Sequence, residues 1–112
     1  MKIGLRLDRE VAILTLDGRL TIGSGDVLLR QDVADLLAEG HSKIVIDLGG
    51  VKTMDSSGVG ELMRARANAE NAGGTIKLVH VEDKVADVLQ VTQLIGVFEN
   101  FDSEEAAILS FR

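Results

Sequence analysis

Residues 43–60 read KIVIDLGGVKTMDSSGVG, and this stretch decides the fold class. Its first part, KIVIDL, has an unbroken β-branched centre, which is typical of a strand covered on both faces. Two glycines end this predicted strand, and a helical pattern begins near Ser57 and continues to about Ala72. A buried strand followed by a helix is the repeating unit of α/β proteins. The stretch therefore predicts a sheet that is at least partly parallel, with helices packed against it.

Segments on both sides of this stretch extend the alternation of strands and helices. Upstream, two apolar stretches predict a β-hairpin, and Asp17-Gly18 predicts a turn. A helix is then predicted to begin near Ser24 and Asp26 and to end at Gly40. The predicted strands are residues 3–7, 11–16, 43–48, 75–79 and 97–98, with a short extended piece at 19–22, and the later helices lie around 85–89 and over 103–111. This order fits one α/β domain, residues 1–112, with a mixed sheet, an N-terminal hairpin and about four α-helices.

The composition excludes several classes of function. The absence of cysteine excludes disulfides, thiolate metal sites and cysteine nucleophiles, and the net charge of −6 argues against a nucleic-acid partner. The two histidines, His41 and His80, lack metal-ligand spacing, so we expect neither a metal nor a cofactor. No apolar run approaches the roughly 18 residues of a membrane span. The charged N-terminus is unlike a signal peptide, so we expect a cytoplasmic protein without membrane insertion.

The second half of the quoted stretch carries the functional signal. It enters a helix, and a helix N-terminus exposes unpaired N–H groups and a partial positive charge that attract anions. Asp55, Ser56 and Ser57 all suit the N-cap position, so helix capping alone is one interpretation. Gly58 and Gly60 add to it, because glycine in a first turn costs up to about 1 kcal/mol relative to alanine. Two such glycines indicate that another backbone approaches closely, either from the sheet or from a partner.

Residues 54–60, MDSSGVG, directly after an IVIDL strand, resemble the signature of the anti-sigma factor antagonists, whose fold is the STAS domain. The resemblance covers nearly the whole chain. Comparable pieces of that family match DGRL at residues 17–20, the helix before KIVIDL, AGGTIKLV at 72–79 and VLQVTQLIGVF at 88–98. It is the order of these elements that makes the short DSSG block specific.

The resemblance implies a non-enzymatic switch. In that family a partner kinase, itself an anti-sigma factor, phosphorylates the serine after the aspartate, which is Ser56 here. The unphosphorylated antagonist binds the kinase and frees a sigma factor, and a separate phosphoserine phosphatase restores binding after phosphorylation. Carried over to this chain, the partner-binding residues are Thr21, Asp55, Ser56, Ser57, Gly58 and Gly60.

Individual roles follow for three of these residues. We expect Asp55 to position the acceptor serine or to contact the kinase, and Ser57 to cap the helix or to orient Ser56. Thr21 stands where many family members carry an acidic residue, and its loop is expected near Ser56. This departure bears on the identity of the partner more than on the fold.

Other readings stay open beside this one. The chain could be a STAS subunit of a stress-sensing complex or of a lipid or anion transporter, acting by protein–protein docking without a phospho-switch. The sequence also leaves open whether the chain is a monomer or a weak dimer. Asp47, near the end of a buried strand, could be the phosphoacceptor of a receiver domain, although we interpret it as a capping or turn residue. A hydrolase pair of Ser56 and His80 is disfavoured because no G-x-S-x-G motif is present.

Overall fold

A mixed five-stranded sheet organises the molecule, for which a computed structural model describes residues 1–111. Its strands are, in spatial and in chain order, β1 (Lys2–Asp8), β2 (Val11–Leu20), β3 (Lys43–Met54), β4 (Thr75–Val79) and β5 (Asn100–Phe101). The hairpin partners β1 and β2 are antiparallel, and every later pairing is parallel. The helices are α1 (Asp26–Ala38), α2 (Ser56–Asn71), α3 (Asp83–Val91) and α4 (Glu104–Leu109). The predicted α/β class, N-terminal hairpin and four helices are confirmed.

Both faces of the central strands are covered, because side chains alternate between the faces along each strand. On one face, Leu14 of β2 and Ile46 of β3 pack with apolar residues of α1, α2 and α3. On the other face, Ile13 and Val45 pack with Ala107 and Ile108 of α4. The prediction of a doubly covered strand at the centre of KIVIDL is therefore confirmed.

The turn predicted at Asp17-Gly18 is wrong. These residues lie inside β2, which continues to Leu20, and the pairing of β2 with β3 shifts register on both sides of them. Gly18 has a φ of 123°, which glycine adopts readily, and it forms part of a bulge in β2 rather than a turn. The hairpin turn is Arg9-Glu10, where both residues have positive φ and the pair Asp8 and Val11 flanks a two-residue loop.

Two further strands differ from the sequence-based prediction. Strand β3 does not end at Gly49-Gly50 but continues to Met54, and a Cβ on Gly50 would lie 2.7 Å from the carbonyl oxygen of Leu16. The glycine thus allows two backbones to approach within the sheet. The last strand is β5 rather than 97–98, because Phe98 is buried in the core instead of pairing.

Helix α1 begins at Asp26, as predicted, but one expected cap and the end of α4 differ. The residue that precedes α1 is Gly25, with no side-chain cap, so Ser24 does not cap this helix. Helix α4 ends at Leu109, two residues before the predicted end. Gly40, with a φ of 89°, follows α1 as predicted.

Candidate functional site

The candidate site forms where β3 passes into α2. Strand β3 runs beside β2 as far as the pair Met54 and Leu20, and α2 begins two residues after Met54. The single residue between them, Asp55, has extended dihedral angles and is the N-cap of α2. The end of β2 and the loop of residues 21–25 that follows it are therefore held against the start of α2.

Asp55 ties this loop to the helix. One carboxylate oxygen, Oδ1, accepts a hydrogen bond from the backbone N–H of Gly58 at 3.0 Å, and the other, Oδ2, accepts one from the N–H of Ile22 at 3.0 Å. These bonds, first the one from Ile22 and then the one from Gly58, hold the pKa of Asp55 below its ordinary value. The helix cap is thus Asp55, and the capping role expected of Ser57 is wrong.

The two serines occupy the first turn of α2. Ser56 is the first helical residue and is exposed, while Ser57 is half-buried. The first turn of α2 contains no acidic side chain. Ser56 therefore lies at the positive end of the α2 dipole, directly after the carboxylate of the N-cap Asp55 and with no acidic side chain in the turn itself.

The two glycines of the motif have different surroundings. Gly58 is buried, and a Cβ there would lie 2.1 Å from the carbonyl oxygen of Leu20 and 2.8 Å from Cγ of Met54. Gly60 is exposed, and a Cβ there would meet no atom within 4 Å. The close backbone approach that the glycines predicted exists at Gly58 and lies within the chain, between α2 and the end of β2.

The loop that carries Thr21 lies beside the motif. The backbones of Thr21 and Ser24 exchange hydrogen bonds of 3.0 and 2.9 Å, which closes a tight turn, and the bond from Ile22 to Asp55 fixes this turn against α2. The side chain of Ile22 is 74% exposed. Ile22 was not predicted as a site residue. The feature of the sequence that could have pointed to it is a large apolar residue within a glycine-containing turn.

A second polar group surrounds Asp47, which is buried. Its Oδ1 lies 2.9 Å from Nδ1 of His80 and accepts the N–H of Gly49 at 2.9 Å, and its side chain also interacts with Glu104 of α4. The hydrogen bond to Asp47 is the main cause of a raised pKa at both His80 and Glu104. Burial raises the pKa of Asp47, but the bonds from Glu104, Gly49 and His80 outweigh it and lower the pKa overall.

The prediction that Asp47 is a capping or turn residue is wrong, because Asp47 lies inside β3, which continues to Met54. Its carboxylate accepts the N–H of Gly49, two residues on, and it also contacts His80, which is 33 positions away in sequence, so no local pattern could have joined them. Across residues 1–111, no three His, Cys, Asp or Glu side chains form a group that could hold a metal ion. Within the same residues, no helix is long and apolar enough to cross a membrane.

A mixed sheet with an N-terminal hairpin, parallel β2, β3 and β4, and a glycine-containing helix start after the long central strand define a STAS-type α/β domain. A family model described as "Mlab, STAS domain" matches residues 3–99. The chain therefore belongs to the STAS domain family.

Solved structures support the same fold. The crystal structure of a candidate anti-sigma factor antagonist from Thermotoga maritima superposes with a TM-score of 0.88 at 27% identity, covering 96% of this chain and 92% of that one. A curated relative of the same description and organism is 26% identical over 103 residues, 92% of this chain and 91% of its own. The chain is thus similar to anti-sigma factor antagonists over nearly its whole length.

Two more distant structures share the fold alone. One is the Bacillus cell fate determinant SpoIIAA in its phosphorylated form, with a TM-score of 0.75 at 24% identity, covering 99% of this chain and 100% of that one. The other is a sulfate transporter family protein from Wolinella succinogenes, with a TM-score of 0.79 at 19% identity, covering 94% of this chain and 87% of that one. The fold therefore occurs in proteins with different descriptions, so the choice between functions depends on the site.

Proposed function

We propose that this chain is an anti-sigma factor antagonist that binds an anti-sigma factor serine kinase while unphosphorylated and thereby frees a sigma factor for transcription. Phosphorylation of Ser56 ends the binding, and a phosphoserine phosphatase restores it. The observation that carries the proposal is the position of Ser56, exposed at the first residue of α2 beside the loop that Asp55 holds. The chain itself acts without catalysis, as one domain in the cytoplasm.

The physical chemistry of this position favours a local switch. A phosphate on Ser56 adds roughly −1.5 to −2 charges. The start of α2 tolerates this charge, since a helix N-terminus stabilises a nearby anion by about 0.3–1 kcal/mol. A partner surface that fits the neutral hydroxyl meets a new dianion instead, and a penalty of about 3 kcal/mol weakens binding more than about a hundredfold. Phosphorylation should therefore change the affinity for the kinase and leave the fold intact.

The proposed contact surface has two parts. Ser56, Ser57 and Gly60 lie within the first five residues of α2, and Thr21 lies on the adjacent loop. Gly58 is buried, so we assign its contribution to the close packing of α2 against Leu20 rather than to direct contact. The carboxylate of Asp55 accepts hydrogen bonds from two backbone N–H groups, and we propose that it fixes the Thr21 loop in position against the start of α2.

The first test is a pull-down from the source cell's lysate with three baits, the wild type, Ser56→Glu and Gln90→Glu, followed by mass spectrometry. Gln90 is exposed on α3, so Gln90→Glu adds the same charge away from the site and is the matched control. We expect the wild type and Gln90→Glu to retain a kinase-fold anti-sigma factor, and Ser56→Glu to lose it. Incubation of the retained kinase with ATP should then add one phosphate to the wild type and none to Ser56→Ala.

A second candidate is a STAS subunit of a larger assembly, such as a stress-sensing complex or a lipid or anion transporter. The match to a family model described as Mlab and the fold shared with a sulfate transporter family protein favour it. In that case all three baits retain the same scaffold or transporter protein, and Ser56 acts only as a docking surface. That outcome would exclude the phospho-switch.

A further inference from the structure

The two edges of the sheet are built differently. An edge strand presents a row of unpaired backbone N–H and C=O groups, and proteins commonly shorten or cover such edges to prevent association. The edge at β5 is two residues long. The edge at β1 is seven residues long, and it carries Leu5 and Leu7, whose side chains are 55% and 60% exposed. The β1 edge thus combines length with an exposed apolar surface.

The register of the hairpin determines which backbone groups of β1 face outward. Asp8 and Val11 flank the two-residue turn, and the residues that flank such a turn exchange backbone hydrogen bonds. Because this direction alternates along a strand, the backbone groups of Gly4 and Arg6 also face β2. The N–H and C=O groups of Ile3, Leu5 and Leu7 therefore face away from the sheet. The side chains of these three residues share one face of β1.

We propose that β1 pairs with β1 of a second copy of this chain, antiparallel and centred on Leu5, so that two five-stranded sheets join across a two-fold axis. Leu5 then lies opposite Leu5, and Ile3 opposite Leu7, with all of their outward N–H and C=O groups paired. This proposal does not depend on the proposed function of Ser56, which lies on a different element.

Charge selects this register over its neighbours. Centred on Leu5, the pairing places Lys2 of each copy opposite Asp8 of the other, which gives two pairs of opposite charge. A shift of two residues in one direction places Lys2 opposite Arg6, and a shift in the other direction places Arg6 opposite Arg6. A shift of one residue would place the outward-facing backbone groups of one copy opposite residues whose own groups face β2, so they could not pair. Only the Leu5-centred register therefore satisfies both the hydrogen bonds and the charges.

Steric fit and apolar contact agree with this register. Arg6 of one copy lies opposite Gly4 of the other, where a Cβ would meet no atom within 4 Å, so the long side chain has room. The exposed face of Leu5 opens onto a groove between β1 and α1 whose floor includes Leu14 and Leu36. Pairing would bring the two Leu5 side chains together and continue this apolar floor from one copy to the other. The rims of the groove are acidic, with Asp32, Asp35 and Glu39, so we expect a weak, reversible dimer.

Sedimentation and amide exchange test the proposal on the full chain. Sedimentation equilibrium from about 1 µM to about 1 mM, which spans the affinities of weak dimers, should show a monomer–dimer equilibrium. Over the same range, amide exchange measured by NMR should slow at Ile3, Leu5 and Leu7 as the dimer forms. The amides of Gly4 and Arg6, which already bond to β2, should not change.

Charge reversal tests the register. Lys2→Asp and Asp8→Lys each place like charges opposite one another twice per dimer, and each should raise the dissociation constant about tenfold, or about 1.4 kcal/mol. The double variant restores opposite charges and should restore dimerisation. Because Asp8 also pairs with Arg9, thermal unfolding of every variant serves as the check on folding.

Three results would overturn the proposal. The first is a monomer throughout the concentration range, including a case in which the β1 amides become protected only when another protein is added. The second is a dimer that neither single charge reversal weakens. The third is a dimer whose formation leaves the exchange of Ile3, Leu5 and Leu7 unchanged.

Discussion

Helices α2 and α4 begin with the same capping bond but have opposite surroundings. In α2, the carboxylate of Asp55 accepts the N–H of Gly58, and in α4, the hydroxyl of Ser103 accepts the N–H of Ala106 at 3.1 Å. The next two residues of α4 are Glu104 and Glu105, whereas those of α2 are two serines. The two helix starts therefore differ in where their acidic residues lie: α2 has one as its N-cap, Asp55, and none in its first turn, whereas α4 has a neutral N-cap, Ser103, and two acidic residues in its first turn.

The acidic side chains of α4 are used inside the molecule. Glu104 contacts Arg6 of β1 and interacts with Asp47 of β3, and Glu105 pairs with Arg9 of the hairpin turn. These contacts occupy the positive end of the α4 dipole and fasten the helix to the sheet. The start of α2 is fixed instead by its backbone packing and by Asp55, and this leaves Ser56 exposed. We therefore interpret the α4 start as structural and expect the α2 start to tolerate an added anion at Ser56.

The largest effect that we expect comes from the glycine that lets α2 approach the sheet. Gly58→Ala places a methyl group 2.1 Å from the carbonyl oxygen of Leu20, so the helix start must move. We expect a loss of about 3 kcal/mol in the free energy of unfolding, at the upper end of overpacking costs. Chemical denaturation of the wild type and the variant measures it.

Gly60→Ala is the matched control. It adds the same methyl group two residues along α2, where no atom lies within 4 Å. Alanine there should stabilise the protein by about 0.5–1 kcal/mol, because glycine is a poor helix former. Equal effects of the two substitutions would mean that the contrast between the glycines is wrong.

The next largest loss of stability should come from removing an N-cap side chain, and it should differ between the two helices. Ser103→Ala removes one accepted hydrogen bond from α4 and should cost about 1 kcal/mol. Asp55→Ala removes two accepted bonds and also releases the loop at Ile22, so it should cost more than Ser103→Ala. Denaturation measures both, and amide exchange at Ile22 should accelerate only in Asp55→Ala. Faster exchange at Ile22 in Ser103→Ala would contradict the separation of the two sites.

Acid titration should also distinguish the caps, because only one of them is ionisable. The pKa of Asp55 in the folded protein lies below its ordinary value of 3.8, so the unfolded chain binds this proton at the higher pH. The stabilisation by Asp55 is therefore complete above about pH 5 and is lost as the pH falls through 3.8 toward the folded pKa. The stability difference between the wild type and Asp55→Asn should shrink over this acid range. A difference that is independent of pH would show that the ionised carboxylate is not the stabilising form.

The contrast between the helices also marks what local sequence could predict. The strand pattern of KIVIDL and the helix starts at the DSSG and SEE segments were predictable, because periodicity and capping are local properties. The role of Gly18 in a bulge and the continuation of β3 beyond Gly50 were not, because both depend on pairing with another strand. The motif predicted that Asp55, Ser56 and Ser57 share one helix start, but not which of them is the cap.

Other features of the site depended on contacts between distant residues. Gly58 and Gly60 look equivalent in sequence, and only the position of Leu20 separates them. The loop at Ile22 reaches the motif through a hydrogen bond that spans 33 positions. The bond between Asp47 and His80 spans the same separation, and neither histidine spacing nor capping patterns indicate it.

A titration of His80 probes the polar group that adjoins α4. Its hydrogen bond to Asp47 raises the pKa of His80 above 6.5, so the stabilisation it gives is complete below pH 6.5 and is lost as the pH rises through the folded pKa. NMR should record this raised pKa, and Asp47→Asn should lower it. The His41 resonance in the same spectra is the control, because Asp47→Asn should leave it in place. An unchanged His80 titration in Asp47→Asn would remove Asp47 as the cause.

The smallest expected effect is the change in the free energy of unfolding when a negative charge is added to the first turn of α2. The first turn of α4 already carries two acidic residues. Ser56→Glu gains up to about 1 kcal/mol from the helix dipole and loses part of it to repulsion from Asp55. The free energy of unfolding should therefore stay within about 0.5 kcal/mol of that of Ser56→Gln, which has the same shape without the charge. NMR spectra of the phosphorylated protein should keep their amide dispersion, with shifts confined to the α2 start and the loop at Ile22. A loss of dispersion would mean that phosphorylation acts by unfolding the domain. Shifts confined to the α2 start and the loop at Ile22 would mean that the added charge acts at the partner interface.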